Sequence, residues 1–418
     1  MLNRSPIPCT CKNSSIVQFT GGDDVNAIAS ASGQLKTLPL ARPRVAVICD
    51  FKEENWPSMD LVGDMLCDHL SSNDKQVVDV TRIRPPMPQP FGRRSGTLNN
   101  FHRILGRFVS YPRELRVLRA GFDLFHIVDH SYAHLALELP PGRVVVTCHD
   151  VDAFRDLVPG ARSRNLVRSA MSRHILSGLR RAAWITCDTH ATRDQLLSNH
   201  LAQADRVSVV HNGVDPAFCP HPNESADTAL ANMLGRRAGE SPEVLHVGST
   251  IARKRIQDVL GIFAKLRARI PTLRLLRVGG VFTGEQHRIT RKLDLTSSID
   301  VLPRLDRSLL AAVYRRARVV IQPSEAEGFG LPIVEAMASG TPVVASDIPA
   351  LREVGGTAAE YCPVGDVEAW SRKLFELMNE AEYERRGRRE ACLQQASRFK
   401  WNEYAHQMTD IYQRIVAW

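Results

Sequence analysis

The sequence predicts an α/β protein built from two doubly wound domains that face each other across a cleft. Short apolar runs rich in valine and isoleucine, of the kind buried on both faces of a parallel sheet, alternate with amphipathic helical stretches. The alternation lapses near residue 212 and restarts near residue 244. A chain of 418 residues also exceeds one ordinary domain and suffices for two separate cores.

Residues 1–40 are polar and small, with GGDD and ASASG stretches, and read as a poorly ordered tail. The first strand is VAVIC, Val45–Cys49, followed by a mostly apolar helix over Ser58–Leu70. Further strands are expected at Val77–Val80, Leu124–Val128, Val144–Cys148, Trp184–Cys187 and Val207–Val210, with helices such as Arg164–Arg181 and Ala191–His200 between them. RIRPPMPQPFGRRSG, residues 82–96, reads as a long loop, either functional or disordered. These elements make a first domain over 41–215, and residues 216–240 read as a linker with turn residues and no periodicity. The second domain, 241–398, is expected to hold strands at Val244–Val247, Leu273–Val278, Ile299–Leu302, Val319–Gln322 and Val343–Ala345. Its helices fall at Ile256–Ala268, Ser308–Ala317 and Ile333–Ser339. Glu368–Trp418 reads as two or three helices broken near Phe399–Trp401. Ligands of such sheets bind beyond the carboxyl ends of the strands, so the pattern alone predicts a cleft enzyme or a binding protein.

Composition narrows the classes. Hydrophobic residues make up 44% and charged residues 24%, as in an ordinary soluble enzyme. No apolar run approaches the roughly 20 residues that span a bilayer. The N-terminus lacks the apolar stretch of a secretory signal. The nine cysteines are scattered, several in strand-like runs, which fits buried thiols in a reducing cytoplasm. Cys9 and Cys11 form a CxC pair that no second pair or nearby histidine completes, so no metal site is expected. The net charge of +9 is uneven. Arg93, Arg94, Arg103, Arg107, Arg113, Arg116 and Arg119 crowd one stretch, and Arg162, Arg164, Arg168, Arg173, Arg180 and Arg181 another. Such a basic face suits anionic lipid, nucleic acid or a phosphorylated ligand, or is simply a solvated helix face. No nucleic-acid motif accompanies it.

The chemistry concentrates in VVIQPSEAEGFGLPIVEAMASGTPVVAS, which starts at Val319. Val319–Gln322 is a buried strand that Pro323 and Ser324 end. Gly328 and Gly330 let the backbone approach a ligand closely. Pro332 suits a helix start, and Gly340 and Pro342 stop the helix. The N–H groups near Gly330 and Leu331 then form an anion site supported by the helix dipole. Glu335 is expected in the first turn and Glu327 ahead of it. Two carboxylates beside a phosphate-binding helix start are suited to accept hydrogen bonds from sugar hydroxyls on either side of a diphosphate. Either glutamate alone reads better as a solvated or helix-capping residue; the whole strand, loop, helix and strand together point to a nucleotide-sugar site.

EGFGLPIVEAMASGTPVV closely resembles the E-x7-E signature of retaining glycosyltransferases of family 4, which have the GT-B fold of two Rossmann-like domains. VLHVGSTIARKRIQDVL, LRLLRVGG, LPRLDRSLLAAVYRRARVVIQPS, VVVTCHDVDAF and VVHNGVD resemble further family segments in the same order. The resemblance covers about residues 43–415 and leaves the tail outside it. It implies that residues 399–418 return to the first domain as a C-terminal helix. It implies that Glu327 meets the donor sugar, that Phe329, Gly330 and Leu331 offer backbone N–H groups, and that Glu335 binds the ribose. Arg253 and Lys254 would neutralise the departing diphosphate, with Gly248 against the phosphates. His149 would approach the sugar from the acceptor side, with Asp150 orienting it or capping the next helix. Ser58, His130 and Asp150 are acceptor-side candidates, and Asn212 and Asp215 read as hinge or turn residues.

The resemblance also implies retention of configuration. Glu327 is the nearest candidate for a covalent nucleophile, but its loop position suits hydroxyl binding better, so front-face attack is expected, without a metal or cofactor. Asp150-Val151-Asp152 has DxD spacing but lies in the other domain's loop. The expected partners are a nucleotide-sugar donor, a glycan or lipid-linked acceptor and a weakly bound anionic membrane surface at the inner face of the cell, with no nucleic acid. The alternatives are a nucleotide-sugar epimerase or phosphorylase of the same fold, or a binding protein without turnover.

Overall fold

A computed structural model describes residues 42–72, 77–88, 97–158 and 165–416. The expected tail with Cys9 and Cys11, the Pro/Gly-rich segment 89–96 with Arg93 and Arg94, and Arg162 and Arg164 lie outside the described residues. The strands are β1 (Arg44–Ile48), β2 (Asp79–Ile83), β3 (Leu124–Ile127), β4 (Val144–Cys148), β5 (Trp184–Cys187), β6 (Val207–Val209), β7 (Glu243–Val247), β8 (Arg274–Val278), β9 (Ile299–Leu302), β10 (Val319–Gln322), β11 (Val343–Ser346) and β12 (Glu360–Cys362). The helices are α1 (Pro57–Ser71), α2 (Thr97–Leu105), α3 (Tyr111–Leu118), α4 (Leu166–Arg181), α5 (His190–Ser198), α6 (Glu224–Leu234), α7 (Ile256–Arg269), α8 (Gly284–Lys292), α9 (Arg307–Arg316), α10 (Leu331–Ala338), α11 (Pro349–Gly355), α12 (Val367–Met378), α13 (Glu382–Ala396) and α14 (Trp401–Val416).

The strands make two parallel six-stranded sheets, in the orders β2-β1-β3-β4-β5-β6 and β12-β11-β10-β7-β8-β9. The strand order reverses between β1 and β3 in the first sheet and between β7 and β10 in the second. Such switch points open crevices at the carboxyl edge. The central strands are apolar on both faces because helices cover both. β2 begins later than the apolar run Val77–Val80 suggests. It is an edge strand, so its paired stretch carries Asp79, Thr81 and Arg82 and is poorly marked by hydrophobicity.

Residues 216–240 are not structureless. Asn223 Oδ1 accepts from the Ala226 N–H and starts α6, Gly235 ends it in the left-handed region, and buried Leu230 joins the core of the second sheet. The helix escapes a periodicity reading because only Ala226 and Leu230 are buried.

The last helix crosses back. Trp401, Tyr404, Met408 and Tyr412 of α14 pack with Val45, Val47 and Val145 of the first sheet and Leu66 of α1, whereas Cys392 and Ala396 of α13 stay with the second. Each large apolar side chain so buried contributes about 1.5–3 kcal/mol. His126, wholly buried on β3, ties the return: its ring nitrogens lie 2.6 Å from Tyr412 Oη and 2.7 Å from Thr147 Oγ1. Burial, with nearby His149, pushes this imidazole down to about 3, so it is neutral. Among the described residues no helix is long and apolar enough to cross a membrane.

A candidate active site where the strand ends meet

The loop after β7 and the loop after β10 meet at the switch point of the second sheet. Lys254 Nζ lies 2.5 Å from Glu327 Oε1, and Gln322 Nε2, from the end of β10, donates to the same oxygen at 2.8 Å. The Lys254 and Glu327 side chains are only 11% and 7% exposed. Arg253 Nη1 stands 3.8 Å from Glu327 Oε2, and its Nη2 stands 3.4 Å from Asp150 Oδ2 of the first sheet. Burial alone would raise the Glu327 carboxyl, but Lys254 and Arg253 outweigh it and hold the group below its ordinary range. Glu327 is therefore a fixed, ionised acceptor at the floor of the site. Gly248 closes β7 beside the Lys254 stem.

Gly328 explains how the two halves touch. A Cβ there would sit 1.7 Å from the His149 carbonyl oxygen, so only glycine fits. The Gly328 carbonyl accepts from Thr189 Oγ1 at 2.8 Å. Gly330, at φ 90°, forms the N-cap of α10, a conformation that penalises any other residue. Leu331 opens the helix, half-buried; Pro332 carries no N–H, and the Ile333 N–H donates to the Gly330 carbonyl at 2.8 Å, so the donors left at this helix start are those of Gly330 and Leu331. The Phe329 ring is buried, its centroid 5.5 Å from that of Phe399, so any contribution of this residue to a ligand comes from its backbone.

Glu335 corrects one expectation. The helix begins at Leu331, which puts Glu335 in the second turn, not the first. It is buried, and its Oε2 accepts from Tyr314 Oη of α9 at 2.7 Å. Burial dominates, and with Asp215 it pushes the carboxyl up to about 7 against the pull of Tyr314 and Arg307.

His149 follows β4, and both ring nitrogens are engaged: Nδ1 lies 2.6 Å from Asp188 Oδ2 and Nε2 lies 2.6 Å from the Val128 carbonyl. A carbonyl only accepts, so Nε2 carries a proton, and the ring is a doubly donating imidazolium. Burial opposes that charge, but Asp188 and Asp129 overcome it and raise the group to about 9. The orienting role expected of Asp150 therefore belongs to Asp188. Asp150 instead caps the turn after β4, accepting from the Asp152 N–H at 2.9 Å, and contacts His130 Nε2 at 3.5 Å and Arg253. Against its burial, His130 and Arg253 hold Asp150 well below the usual carboxylate range. His130 is buried between Asp129 at 3.4 Å and Asp150. Ser58 lies half-buried in the first turn of α1, near the first-strand loop whose Asn55 Oδ1 accepts from Arg304 at 2.6 Å. Asp215 pairs with Arg307 at 2.7 Å, and Asn212 is buried.

The structure thus brings Glu327, Lys254, Arg253, Asp150, His149 and His130 into one connected cluster. Ser58 and Glu335 stand apart from it, Glu335 bonded to Tyr314 instead. Three further residues carry little signal in the sequence. Gln322 reads as a plain strand residue. Asp188 follows β5 directly, and β4 pairs with β5 in register Cys148 to Cys187, so the residues after both strands are neighbours. Glu353 of α11 accepts from the His190 and Ala191 N–H groups at 2.8 and 3.1 Å and contacts His211 Nε2 at 2.8 Å, capping a helix of the other half.

Two family descriptions match the chain: "Glycosyltransferase Family 4" over residues 62–218 and "Glycosyl transferases group 1" over residues 235–394. A phosphatidyl-myo-inositol mannosyltransferase of Mycolicibacterium smegmatis is 30% identical over 310 residues, 72% of this chain and 73% of that protein. A D-inositol 3-phosphate glycosyltransferase of Salinispora tropica is 33% identical over 258 residues, 56% of this chain and 51% of that one. The chain spans about half to three fifths, 51% to 61%, of four such inositol-phosphate relatives. Among solved structures, a sucrose-phosphate synthase from Thermosynechococcus elongatus is similar in fold, with a TM-score of 0.70 at 19% identity, covering 90% of this chain and 100% of that one. The Anabaena protein HepE, solved with UDP and glucose, gives 0.69 at 17% identity, covering 89% and 100%.

Proposed function

The chain belongs to glycosyltransferase family 4, and on that premise we propose that it moves a hexosyl group from a nucleotide-sugar donor to an acceptor hydroxyl with retention of configuration. The observation that carries this reading is the buried Lys254–Glu327 pair, with Arg253 beside it, at the carboxyl edge where α10 begins. Glu327 accepts hydrogen bonds from donor sugar hydroxyls. Lys254, Arg253 and the N–H groups of Gly330 and Leu331 at the start of α10 take up the negative charge that develops on the leaving diphosphate, work that requires no metal. Glu335 receives the ribose. The acceptor oxygen attacks the anomeric carbon on the face from which the diphosphate departs, and its proton passes to a leaving-phosphate oxygen. The state of His149 supports that route: with both ring nitrogens already donating, it has no lone pair to serve as base. The acceptor, a glycan or lipid-linked hydroxyl, enters from the side of Ser58, His130 and Asp150, and the enzyme acts in the cytoplasm, peripherally at an anionic membrane.

A thermal-shift panel of nucleotides and nucleotide sugars, with and without EDTA, tests the donor half. A ligand at about 100 times its Kd adds near 2.7 kcal/mol of stability. Stabilisation by one nucleotide family that survives EDTA and is lost in Glu327→Gln or Lys254→Met is expected. Indifference of the protein to every nucleotide would overturn the proposal, and a glycosyl-enzyme adduct in a mass spectrum would overturn front-face attack.

A further inference from the structure

On the amino side of the second sheet, opposite the candidate active site, lies a cavity of about 860 Å3. Its walls are the starts of β7, β10 and β11 and the carboxyl ends of α7, α9, α10 and α12, with α13 along one side. Five arginines line it, Arg315, Arg316, Arg318, Arg385 and Arg389, against two carboxylates, Asp227 and Glu243.

Both carboxylates are already neutralised. Arg315 Nη2 lies 2.7 Å from Asp227, and Arg236 and Arg316 hold Glu243 at 2.8 and 2.5 Å. Arg385 has Glu382 beside it at 3.0 Å. Arg318 and Arg389 have no acidic partner among the described residues. They donate to the Met378 and Pro220 carbonyls, at 3.2 and 3.3 Å. The cavity is therefore cationic.

Capping the carbonyls at helix ends accounts for part of this arginine set. It does not use all the donors, since each guanidinium carries five. Arg315 Nε, Arg385 Nε and Ser339 Oγ are buried without a hydrogen-bond partner, in side chains that form the wall. The Arg315 side chain is only 10% exposed and Ser339 2%. Buried donors left unmade are unfavourable. A ligand rich in anionic oxygens would take up the donors of Arg318 and Arg389 that one carbonyl each leaves over.

We propose that this cavity is a second binding site, for a small molecule bearing a phosphate monoester. A terminal phosphate offers three acceptor oxygens and close to two negative charges, which matches several guanidinium forks better than a single carboxylate does. The volume falls within the roughly 300–1,000 Å3 of small-molecule sites. The helix α10 runs from its N-cap Gly330 in the active-site loop to its C-cap Ser339 in this cavity. A ligand here therefore grips the far end of the element that carries Glu335.

The probes are inorganic phosphate and ribose 5-phosphate, with unphosphorylated ribose as control, at constant ionic strength. Calorimetric titration of the wild type, the cavity variant Arg318→Ala/Arg389→Ala and the cleft variant Lys254→Met separates the sites. Both phosphate compounds are expected to bind wild type and Lys254→Met alike, and to lose at least tenfold in affinity in the cavity variant, which still binds nucleotide. Binding lost in Lys254→Met but kept in the cavity variant would place the anion in the cleft and overturn the proposal. So would binding to none of the three proteins at millimolar concentration, because the arginines would then serve helix ends alone. Should the double variant not fold, Arg389→Gln alone is expected to weaken the same titration, and an unchanged affinity there overturns the proposal equally.

Discussion

Lys254 Nζ and Glu327 Oε1 form a 2.5 Å ion pair that joins the loop after β7 to the loop after β10. Removing Lys254 leaves the largely buried Glu327 with only Gln322 and the more distant Arg253, and breaking such a buried pair is destabilising by up to about 3–5 kcal/mol. Lys254→Met should therefore lower Tm and abolish most turnover, with loss of such a contact costing roughly 3 kcal/mol of barrier. Lys254→Met/Glu327→Gln should regain much of the stability and none of the activity. Paired melting curves and rate measurements check this. A double variant as unstable as the single would show that the pair is not what holds the loops together.

The His149–Asp188 contact predicts a stability profile on the alkaline side. His149 keeps its proton up to about 9 in the folded protein, whereas an unfolded histidine loses it near 6.5. The contribution is thus fully present below pH 6.5 and disappears as pH rises through 9. It amounts to about 3 kcal/mol at most, since each pH unit between the folded and unfolded values corresponds to about 1.36 kcal/mol. Denaturant unfolding from about pH 6 to about pH 9.5 should show the wild type weakening and Asp188→Asn nearly flat. Parallel profiles would refute the assignment.

Glu353 caps α5 from the opposite half of the molecule. Burial opposes its ionisation, but His211 and the His190 and Ala191 N–H groups hold it below the ordinary glutamate range. Glu353→Ala removes two helix-capping bonds, worth about 1 kcal/mol. The His190 and Ala191 amides should then exchange roughly fivefold faster with solvent deuterium. Unchanged exchange there would mean that the cap is not formed in solution.

The basic stretches are partly neutralised in the fold. Arg103 and Arg107 share Glu54, Arg116 pairs with Glu138 and Arg168 with Asp156. Arg113, Arg173, Arg180 and Arg181 have no acidic partner among the described residues, and Val117, Leu166 and Val167 are exposed near them in sequence, at 79%, 80% and 68%. Weak binding to vesicles containing phosphatidylserine is expected, falling steeply between about 50 and about 300 mM salt as the Debye length shortens. Sedimentation with Arg113→Ala/Arg181→Ala, which should bind less, checks it. Salt-independent binding, or none at low salt, would sink this reading.

Much of the fold is legible in the sequence because burial on both faces forces continuous apolar runs, as in Val144–Cys148 and Val319–Gln322, and because helices recur between them. What escapes obeys the same rule in reverse. The edge strand β2 carries polar residues, and α6 buries too little to show a period. Within the site, Glu327, Lys254 and Gly328 stand out because their neighbours in sequence are also their neighbours in the loop.

The two-sheet architecture, the strand-loop-helix unit around Glu327 and the cationic pair Arg253 and Lys254 follow from the order and type of the residues, because each is a local pattern. Tertiary packing was needed to place Asp188 on His149, to turn Asp150 toward His130 and Arg253, to set Glu335 in the second turn against Tyr314, and to bring Glu353 to a distant helix. Those outcomes depend on which strand ends lie side by side and on which charges burial forces together. Both are settled by contacts between residues that lie 20 to 163 positions apart.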